Sequence, residues 1–142
     1  MRVRKLGLLL VWFAAIPACD SFLASDGDDP IGPEQRTAWA NDVELPDSVN
    51  AGSGIRLEIR GMTGPSTCYR YAGLDSISEG LTWTVWPVSE FRLSGNCVST
   101  PVFFDDEVIL PNLGPGWNII RVTSKNPTIV DSVFVREAEE EG

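Results

Sequence analysis

The sequence predicts an all-β domain, a single sandwich of about seven to nine short antiparallel strands. From about Arg36 onward, runs of β-branched and aromatic residues recur, and Gly, Pro, Asn, Asp and Ser separate them. This pattern is typical of short strands joined by turns. No stretch of about twelve residues keeps an apolar stripe at helical spacing, so no helix is predicted. The predicted domain spans residues 36–136.

The clearest strand lies at 55–60, where apolar and charged residues alternate strictly. Alternation places Ile55, Leu57 and Ile59 on one face and the charged residues on the other. A strand with this pattern buries one face against the core and leaves the other in water. The pattern therefore predicts which side of this strand faces the sandwich interior.

A second alternating run begins at Leu81. Leu81, Trp83 and Val85 fall on the predicted inner face, whereas Trp86 falls on the outer face. Pro87 has no backbone N–H for a sheet hydrogen bond, which predicts that the strand ends or lies at a sheet edge there. Further strands are predicted at 42–45, 68–71, 91–94, 102–104, 107–110, 117–123 and 131–136.

Two adjacent isoleucines interrupt the alternation of the strand predicted at 117–123. Ile119 and Ile120 cannot both face one core on a regular strand, because successive side chains point to opposite faces. We therefore expect either that both faces of this strand are covered or that a β-bulge intervenes.

The segment before this strand resembles a corner found in fibronectin type III and related immunoglobulin-like domains. Leu113, Pro115 and Gly116 match the Leu-x-Pro-Gly pattern that leads into a late strand of those domains. They usually place a tyrosine six residues after the leucine, and this chain has Ile119 there. The resemblance implies an immunoglobulin-like β-sandwich and no particular activity, since such folds carry many functions.

Residues 1–18 have the layout of a secretory signal peptide. Three basic residues lie within the first five positions, an apolar run follows, and small residues precede Cys19. The run is shorter than the roughly 20 apolar residues that a helix needs to cross a bilayer. The sequence therefore predicts export.

The end of this leader, Ile16-Pro17-Ala18-Cys19, resembles a bacterial lipobox, in which an aliphatic and a small residue precede a lipidated cysteine. Pro17 departs from the Ala, Ser or Thr that usually stands at its position. The resemblance implies cleavage after Ala18 and acylation of Cys19. The alternative is ordinary cleavage, which would leave a soluble protein with a free Cys19 thiol.

The three cysteines fit the lipoprotein interpretation. Lipidation of Cys19 leaves Cys68 and Cys97 as an even pair in an oxidising compartment, where disulfides persist. Closing a loop of about thirty residues stabilises a fold by about 3–4 kcal/mol on the chain-entropy model. We therefore predict a Cys68–Cys97 disulfide, and the alternative is two buried free thiols.

The charge balance restricts the partners of the mature chain. The whole chain has 11 basic and 20 acidic residues, and removal of residues 1–18 takes away three basic residues and no acidic ones, which leaves a formal charge of −12. Nucleic-acid binding depends on basic residues that neutralise phosphates, so it is not expected. Membrane contact is expected through acyl chains on Cys19, because two or more chains anchor stably.

Two segments flank the predicted domain. Residues 19–35 carry the lipidated N-terminus and an acidic stretch that is rich in Gly and Pro, which predicts a flexible tether. Such a tether averages roughly 20–25 Å from end to end by random-coil scaling. Residues 137–142 are predicted to be an acidic tail.

The residue types argue against an enzyme. Histidine is absent, which excludes Ser-His-Asp and Cys-His catalysis and histidine-ligated metals. No Gly-rich phosphate-binding spacing is present, so no cofactor is predicted. Asp105, Asp106 and Glu107 lie between two predicted strands and offer oxygen ligands of the kind that Ca²⁺ prefers. A solvated turn is the favoured interpretation of these three residues, and no metal site is predicted.

Three aromatic residues form the candidate ligand surface. Trp86 lies opposite the predicted inner face, and Tyr69 and Tyr71 lie opposite Cys68 in the alternation. If Cys68 points into the core, all three stand on outer faces and offer contact area to a protein or a sugar. If the disulfide lies outside, the tyrosines cover the inner face instead.

Together these features predict a lipoprotein of the cell envelope, anchored in either membrane and facing the periplasm or the exterior. Its domain is expected to be a non-enzymatic binding or structural module with an envelope protein or a glycan as partner. The alternative is a secreted-type protease inhibitor or carbohydrate-binding domain that uses the exposed aromatic residues.

Overall fold

A computed structural model of the chain describes residues 33–93 and 96–138, and all regular secondary structure in these ranges is β-strand. The nine strands are β1 (Glu34–Thr37), β2 (Trp39–Glu44), β3 (Ser48–Asn50), β4 (Ile55–Gly64), β5 (Tyr69–Glu79), β6 (Thr82–Phe91), β7 (Val102–Leu110), β8 (Gly116–Val122) and β9 (Ile129–Arg136). They form two sheets, so the predicted all-β sandwich is confirmed. No helix in these ranges is long and apolar enough to cross a membrane.

The larger sheet, sheet A, has six strands, and the smaller, sheet B, has three. In sheet A the order is β1-β6-β8-β9-β3, and β5 also pairs with β6. Strand β5 covers the whole length of one edge of β6. On the other edge, β8 pairs with Thr82–Val85 and β1 pairs with Val88–Phe91. Sheet B has the order β2-β4-β7.

Two of the seven strand pairings among the described residues are parallel, although the sequence predicted antiparallel strands. Strand β6 pairs in parallel with β8, and β3 pairs in parallel with β9. Alternation along a strand indicates which face is buried, but it carries no information about the direction of a neighbour that is distant in sequence. The immunoglobulin-like identity of the sandwich stays a prediction.

The core lies between the inner faces of the two sheets. Strand β4 contributes Ile55, Leu57 and Ile59, none of which has exposed area, as their alternation predicted. Burial of a side chain of this size stabilises a fold by about 1.5–3 kcal/mol. Sheet A contributes Val85, Ile120, Val122, Val133 and Val135.

Strand β6 continues through Pro87, where the sequence predicted an end or a sheet edge. Pro87 is fully buried and pairs with Leu74 of β5 on one edge, whereas no strand pairs with it on the other edge. Along that edge, the pairing with β8 ends at Val85 and the pairing with β1 begins at Val88, so Pro87 lies between the two ladders. Its missing N–H therefore removes no hydrogen bond from either ladder. Its carbonyl oxygen accepts a hydrogen bond from Ala38 N at 2.9 Å, where the chain passes from sheet A into sheet B.

Leu81 was predicted to face inward, but it lies in the two-residue turn between β5 and β6 and is exposed. Gly80, the first turn residue, has a φ of 58°. A type II′ hairpin turn needs a positive φ at this position, and glycine adopts it without steric cost. Leu81 is therefore exposed because it occupies the second position of this turn, although its side chain is apolar.

The two adjacent isoleucines of β8 are accommodated by neither expected arrangement. The strand is regular, with Ile120 buried and Ile119 39% exposed on the outer face. The alternation holds along the rest of β8. Asn118 and Val122 point inward with Ile120 and are buried, whereas Trp117 points outward with Ile119 and is exposed. An exposed apolar side chain on an outer sheet face therefore accounts for the broken pattern.

The corner at 113–116 is held by a buried side chain of β8. The Asn118 Oδ1 atom accepts a hydrogen bond from Leu113 N at 2.8 Å. Its Nδ2 atom donates to Gly114 O at 2.9 Å and to Gly116 O at 3.3 Å. The amide group thus satisfies three backbone groups at the corner, two of which belong to residues that precede the β8–β9 ladder.

Several predicted segments fall outside the described residues. They are the leader at 1–18, Cys19, residues 19–32 of the tether and residues 139–142 of the tail. Strand β1 begins at Glu34, within the predicted tether and just before the predicted domain start at Arg36.

Candidate functional site

The predicted disulfide between Cys68 and Cys97 is confirmed, with the two Cα atoms 5.2 Å apart. Cys68 lies just before β5, and Cys97 lies in the connection from β6 to β7. Backbone hydrogen bonding supports the bridge, because Thr67 N donates to Val98 O and Val98 N donates to Thr67 Oγ1, both at 3.0 Å. The bridge therefore fixes one of the connections between sheet A and sheet B.

The candidate surface of Tyr69, Tyr71 and Trp86 is not assembled. Tyr71 is paired with Ser89 in the β5–β6 ladder, and Trp86 is paired with Asp75. Positions 86 and 89 of one strand point to opposite faces, so Tyr71 faces inward and Trp86 faces outward. Tyr69 shares the face of Tyr71, so both tyrosines face inward although Cys68 is buried as well, and neither of the two arrangements that the sequence left open is found.

Tyr71 closes the seam between the two sheets. Its ring stacks on Phe104 of sheet B, with centroids 4.5 Å apart and planes 4° from parallel. Its hydroxyl donates a hydrogen bond to Asp106 Oδ2 at 2.6 Å. Burial raises the pKa of the Tyr71 hydroxyl, and the hydrogen bond to Asp106 raises this pKa further. The residue joins the sheets and does not offer its ring to a ligand.

Asp105, Asp106 and Glu107 do not form the predicted turn, because all three lie within the continuous strand β7. Alternation sends Asp105 and Glu107 outward and Asp106 inward to Tyr71. The outward carboxylates bind arginines of β4, Glu107 to Arg56 at 2.6 Å and Asp105 to Arg60 at 3.2 Å. No group of three or more possible ligands of a metal ion is present in the part of the chain that the structure describes.

Trp86 lines an open cleft of about 760 Å³, which we call the Trp86 cleft. The cleft lies where β1 and β8 part along the edge of β6. Strand β1 provides one wall and the segment that follows β8 provides the other. Its lining includes Arg36, Thr37, Trp86, Thr123, Ser124 and Lys125.

Charged groups lie on both walls of the Trp86 cleft. On β1, Arg36 binds Glu34 at 2.7 Å, donates to Tyr69 Oη at 3.1 Å and lies over the Phe91 ring at 4.5 Å. The bonded Arg36 guanidinium lowers the pKa of Glu34. On the other wall, Lys125 Nζ lies 4.3 Å from the Trp39 ring centroid. The cleft therefore combines an aromatic side chain, hydroxyl groups and fixed charges.

A second feature is an exposed patch on the outer face of sheet A, which we call the apolar face. It consists of Trp117 and Ile119 on β8 and Val130 and Phe134 on β9. Trp117 and Phe134 are cross-strand partners, with an edge-to-face ring contact at 5.2 Å. Trp117 and Val130 are 60% and 59% exposed. Clustered exposed apolar side chains of this kind mark interaction sites, and Arg121, the cross-strand partner of Val130, and Ser132, the partner of Ile119, lie among them.

The apolar face was not predicted from the sequence, in which Tyr69, Tyr71 and Trp86 were the only candidate ligand residues. The alternation of Val133 and Val135 with Phe134 contained the relevant pattern, since burial of both valines sends Phe134 outward. The pairing of Phe134 with Trp117 across two strands could not be found in the same way, because it depends on register.

Comparison of the chain with models of known protein families, with curated proteins and with solved structures finds no match.

Proposed function

We propose that this protein is a lipoprotein of the cell envelope and that its β-sandwich is a non-enzymatic module that binds a protein partner. The acyl chains on Cys19 hold it at a membrane, and the tether lifts the sandwich from the lipid surface. The observation that carries the binding role is the apolar face, Trp117, Ile119, Val130 and Phe134.

The anchor is supported by the N-terminal residue pattern and by the remaining cysteines. Basic residues, an apolar run and small residues precede Cys19 in the order of a lipoprotein leader. The bonded pair of Cys68 and Cys97 leaves Cys19 as the odd cysteine. A disulfide suits an exported chain, because disulfides persist in oxidising compartments.

The charges around the apolar face favour a partner other than a second copy of this chain. The outward residues of β8 and β9 include Arg121 and Arg136, and Asp131, the one carboxylate of these strands, is exposed but alternates with them and pairs with buried Ile120. Face-to-face contact of two copies would bring these arginines together, which opposes association. We therefore expect the partner to present an apolar surface with carboxylates around it.

Intact mass spectrometry on the protein extracted from its native membrane fraction tests the anchor. We expect a chain that begins at Cys19, carries added acyl mass and lacks two hydrogens because of the Cys68–Cys97 bond. In the control, Cys19→Ser, the acyl mass should disappear and the protein should leave the membrane fraction. An unmodified chain, or one that retains Met1, would overturn the lipoprotein proposal.

The binding role is tested by the size of the complex that a mild detergent releases from native membranes. We expect the wild type to migrate as a complex larger than one chain and Ile119→Lys to migrate as a single chain, because the new charge would be buried at the interface. The matched control is Ile109→Lys, since Ile109 is also exposed but lies on the outer face of sheet B.

Three outcomes would contradict the binding proposal. A wild-type protein that already migrates as a single chain would show that no stable partner is bound. Equal effects of Ile119→Lys and Ile109→Lys would show that the apolar face is not the binding surface. A complex that contains only two copies of this chain would refute the expected partner chemistry.

A further inference from the structure

The Trp86 cleft is a second site, independent of the apolar face and of the proposed protein partner. It exists because two strands share one edge of β6: β8 pairs as far as Val85, and β1 pairs from Val88 onward. Trp86 stands between these two ladders. The gap between β1 and β8 opens beside its side chain.

The β1 wall of the Trp86 cleft is held by its ladder with β6, and two backbone hydrogen bonds hold the other wall. Thr123 N donates to Val85 O at 2.9 Å, and Lys125 N donates to Ala38 O at 3.2 Å. The segment after β8 is thereby fixed to β6 at one end and to the β1–β2 crossing at the other. A cleft with fixed walls binds a ligand at lower entropic cost than one that must first become ordered.

The chemistry of the walls suits a polar ring. Trp86 is half-buried and offers part of an indole surface, on which the C–H side of a sugar ring can pack. Thr37, Thr123 and Ser124 add hydroxyl groups that donate and accept hydrogen bonds. A volume of about 760 Å³ falls within the range of small-ligand sites, roughly 300–1,000 Å³.

The charges of the cleft add a preference for an acid. Arg36 and Glu34 bind one another and contribute no net charge together. Lys125 forms no ion pair within 4.0 Å among the described residues, and Glu34 is the carboxylate that its charge reaches, because Arg36 and, to a smaller extent, Lys125 lower the pKa of Glu34. The ammonium group instead lies over the Trp39 ring. The cleft therefore carries net positive charge on a chain whose formal net charge is −9.

We infer that the Trp86 cleft binds an acidic saccharide, with a sugar ring packed on the Trp86 indole and its carboxylate at the Lys125 ammonium. The hydroxyl groups of the walls bind those of the sugar. The apolar face and the cleft lie at different places on sheet A and involve different residues, so either site can fail without the other.

Calorimetric titration of the full mature chain in detergent micelles tests this inference. The probe is a trisaccharide of galacturonic acid, and the neutral control is the corresponding galactose trisaccharide. Benzoate is a second control, because it carries a carboxylate on an aromatic ring. We expect each control to bind at least about tenfold more weakly than the acidic trisaccharide. We also expect added salt to weaken the binding of the acidic trisaccharide.

Two variants locate the site. Lys125→Met keeps the length of an exposed side chain and removes its charge, and Trp86→Leu removes the aromatic surface. Each should weaken binding at least about tenfold. The matched control is Arg136→Met, which removes one positive charge from β9 and should change affinity by less than about twofold. If Trp86→Leu does not fold, the exposed Lys125 position still decides the result.

Chemical labelling gives an independent readout, because Lys125 is the only lysine after residue 18. The acidic trisaccharide should protect its amine from acetylation, and the neutral trisaccharide should not. The inference is overturned if the acidic trisaccharide does not bind, if either control binds equally well, or if Lys125→Met binds it as tightly as Arg136→Met does.

Discussion

The outer faces of the two sheets differ in how their side chains are satisfied. On sheet B, Arg60 of β4 lies among four carboxylates, those of Asp42, Glu44, Glu58 and Asp105, at distances of 2.7–3.3 Å. On sheet A, the apolar face exposes aromatic and aliphatic groups, and the contact between Trp117 and Phe134 across β8 and β9 still leaves Trp117 60% exposed. Sheet B also exposes apolar side chains, Phe103 and Ile109, but its charged groups are paired within the chain, whereas the apolar face of sheet A brings aromatic residues together across β8 and β9.

Both sheets have charged or apolar residues at alternating positions, so alternation alone does not identify a binding face. The two outer faces differ in which residue lies opposite each outward side chain on the neighbouring strand. In sheet B the register brings Arg60 of β4 opposite Asp42 of β2 and Asp105 of β7. In sheet A the register brings Trp117 opposite Phe134 and leaves both in solvent.

The largest expected effect comes from removing the disulfide with Cys68→Ala and Cys97→Ala together. The bridge encloses a sequence separation of 29 residues, and its loss should cost about 3–4 kcal/mol of unfolding free energy. The melting temperature should fall by roughly 10–20 °C. Because the bridge fixes a connection between the sheets, both faces should lose structure in one thermal transition. An unchanged melt, or two separate transitions, would show that the faces do not share one cooperative unit.

Asn118→Ala should have the next largest effect, and it acts on the sheet that carries the apolar face. The change leaves three backbone groups of the 113–116 corner without their partner, which should cost about 2–3 kcal/mol in chemical denaturation. The control is Asn112→Ala, which removes one hydrogen bond to Ser53 O and should cost about 1 kcal/mol or less. Equal costs for the two variants would contradict the role given to Asn118.

Tyr71→Phe tests the seam between the sheets. Loss of the hydroxyl removes the hydrogen bond to Asp106, so unfolding free energy should fall by about 1 kcal/mol near neutral pH. Tyr69→Phe is the control, since the Tyr69 hydroxyl accepts its hydrogen bond from Arg36 at the edge of the sheet.

The same residue predicts a dependence on alkaline pH. An unfolded tyrosine ionises near pH 10, whereas the folded state raises the pKa of Tyr71 above that value. The stability from this shift is present below about pH 10 and is lost as the pH rises further. Urea unfolding between pH 8 and 11 should therefore show a decline that is shallower in Tyr71→Phe. A parallel decline in both proteins would contradict this assignment.

The smallest effect should come from Arg60→Met on sheet B. Its guanidinium is 42% exposed, and the four carboxylates around it would then repel one another. Exposed ion pairs contribute little, and salt screens them. We expect a melting temperature slightly below that of the wild type, with a difference that shrinks at high salt. A loss larger than that of Asn118→Ala would mean that the charged face holds the fold together.

Sequence pattern was sufficient for the parts of this molecule that depend on local alternation. It predicted the buried face of β4, the outward position of Trp86 and, with the cysteine count, the disulfide. In each case the relevant information lies within a few residues or in the composition. The buried face follows directly from the alternation of Ile55 with charged neighbours.

The remaining features depend on which strands meet. The acidic run of β7 lies between two strands predicted from the sequence, where adjacent carboxylates suit a solvated turn. The strand is continuous, and the partners of its outward carboxylates, Arg56 and Arg60, come from β4. The orientation of Tyr71 was tied to Cys68, which lies before β5 and so does not share its alternation. Strand order and direction, which create the Trp86 cleft, are likewise absent from local pattern.

The most direct test of the account compares the two outer faces in the native membrane. A photoactivatable crosslinking residue replaces either Val130 on the apolar face or Ile109 on sheet B, and these side chains are 59% and 66% exposed. Random collisions would favour Ile109 slightly. We expect one defined adduct with a different protein from position 130 and none from position 109. Equal adducts from both positions, or an adduct from position 109 alone, would contradict this expectation.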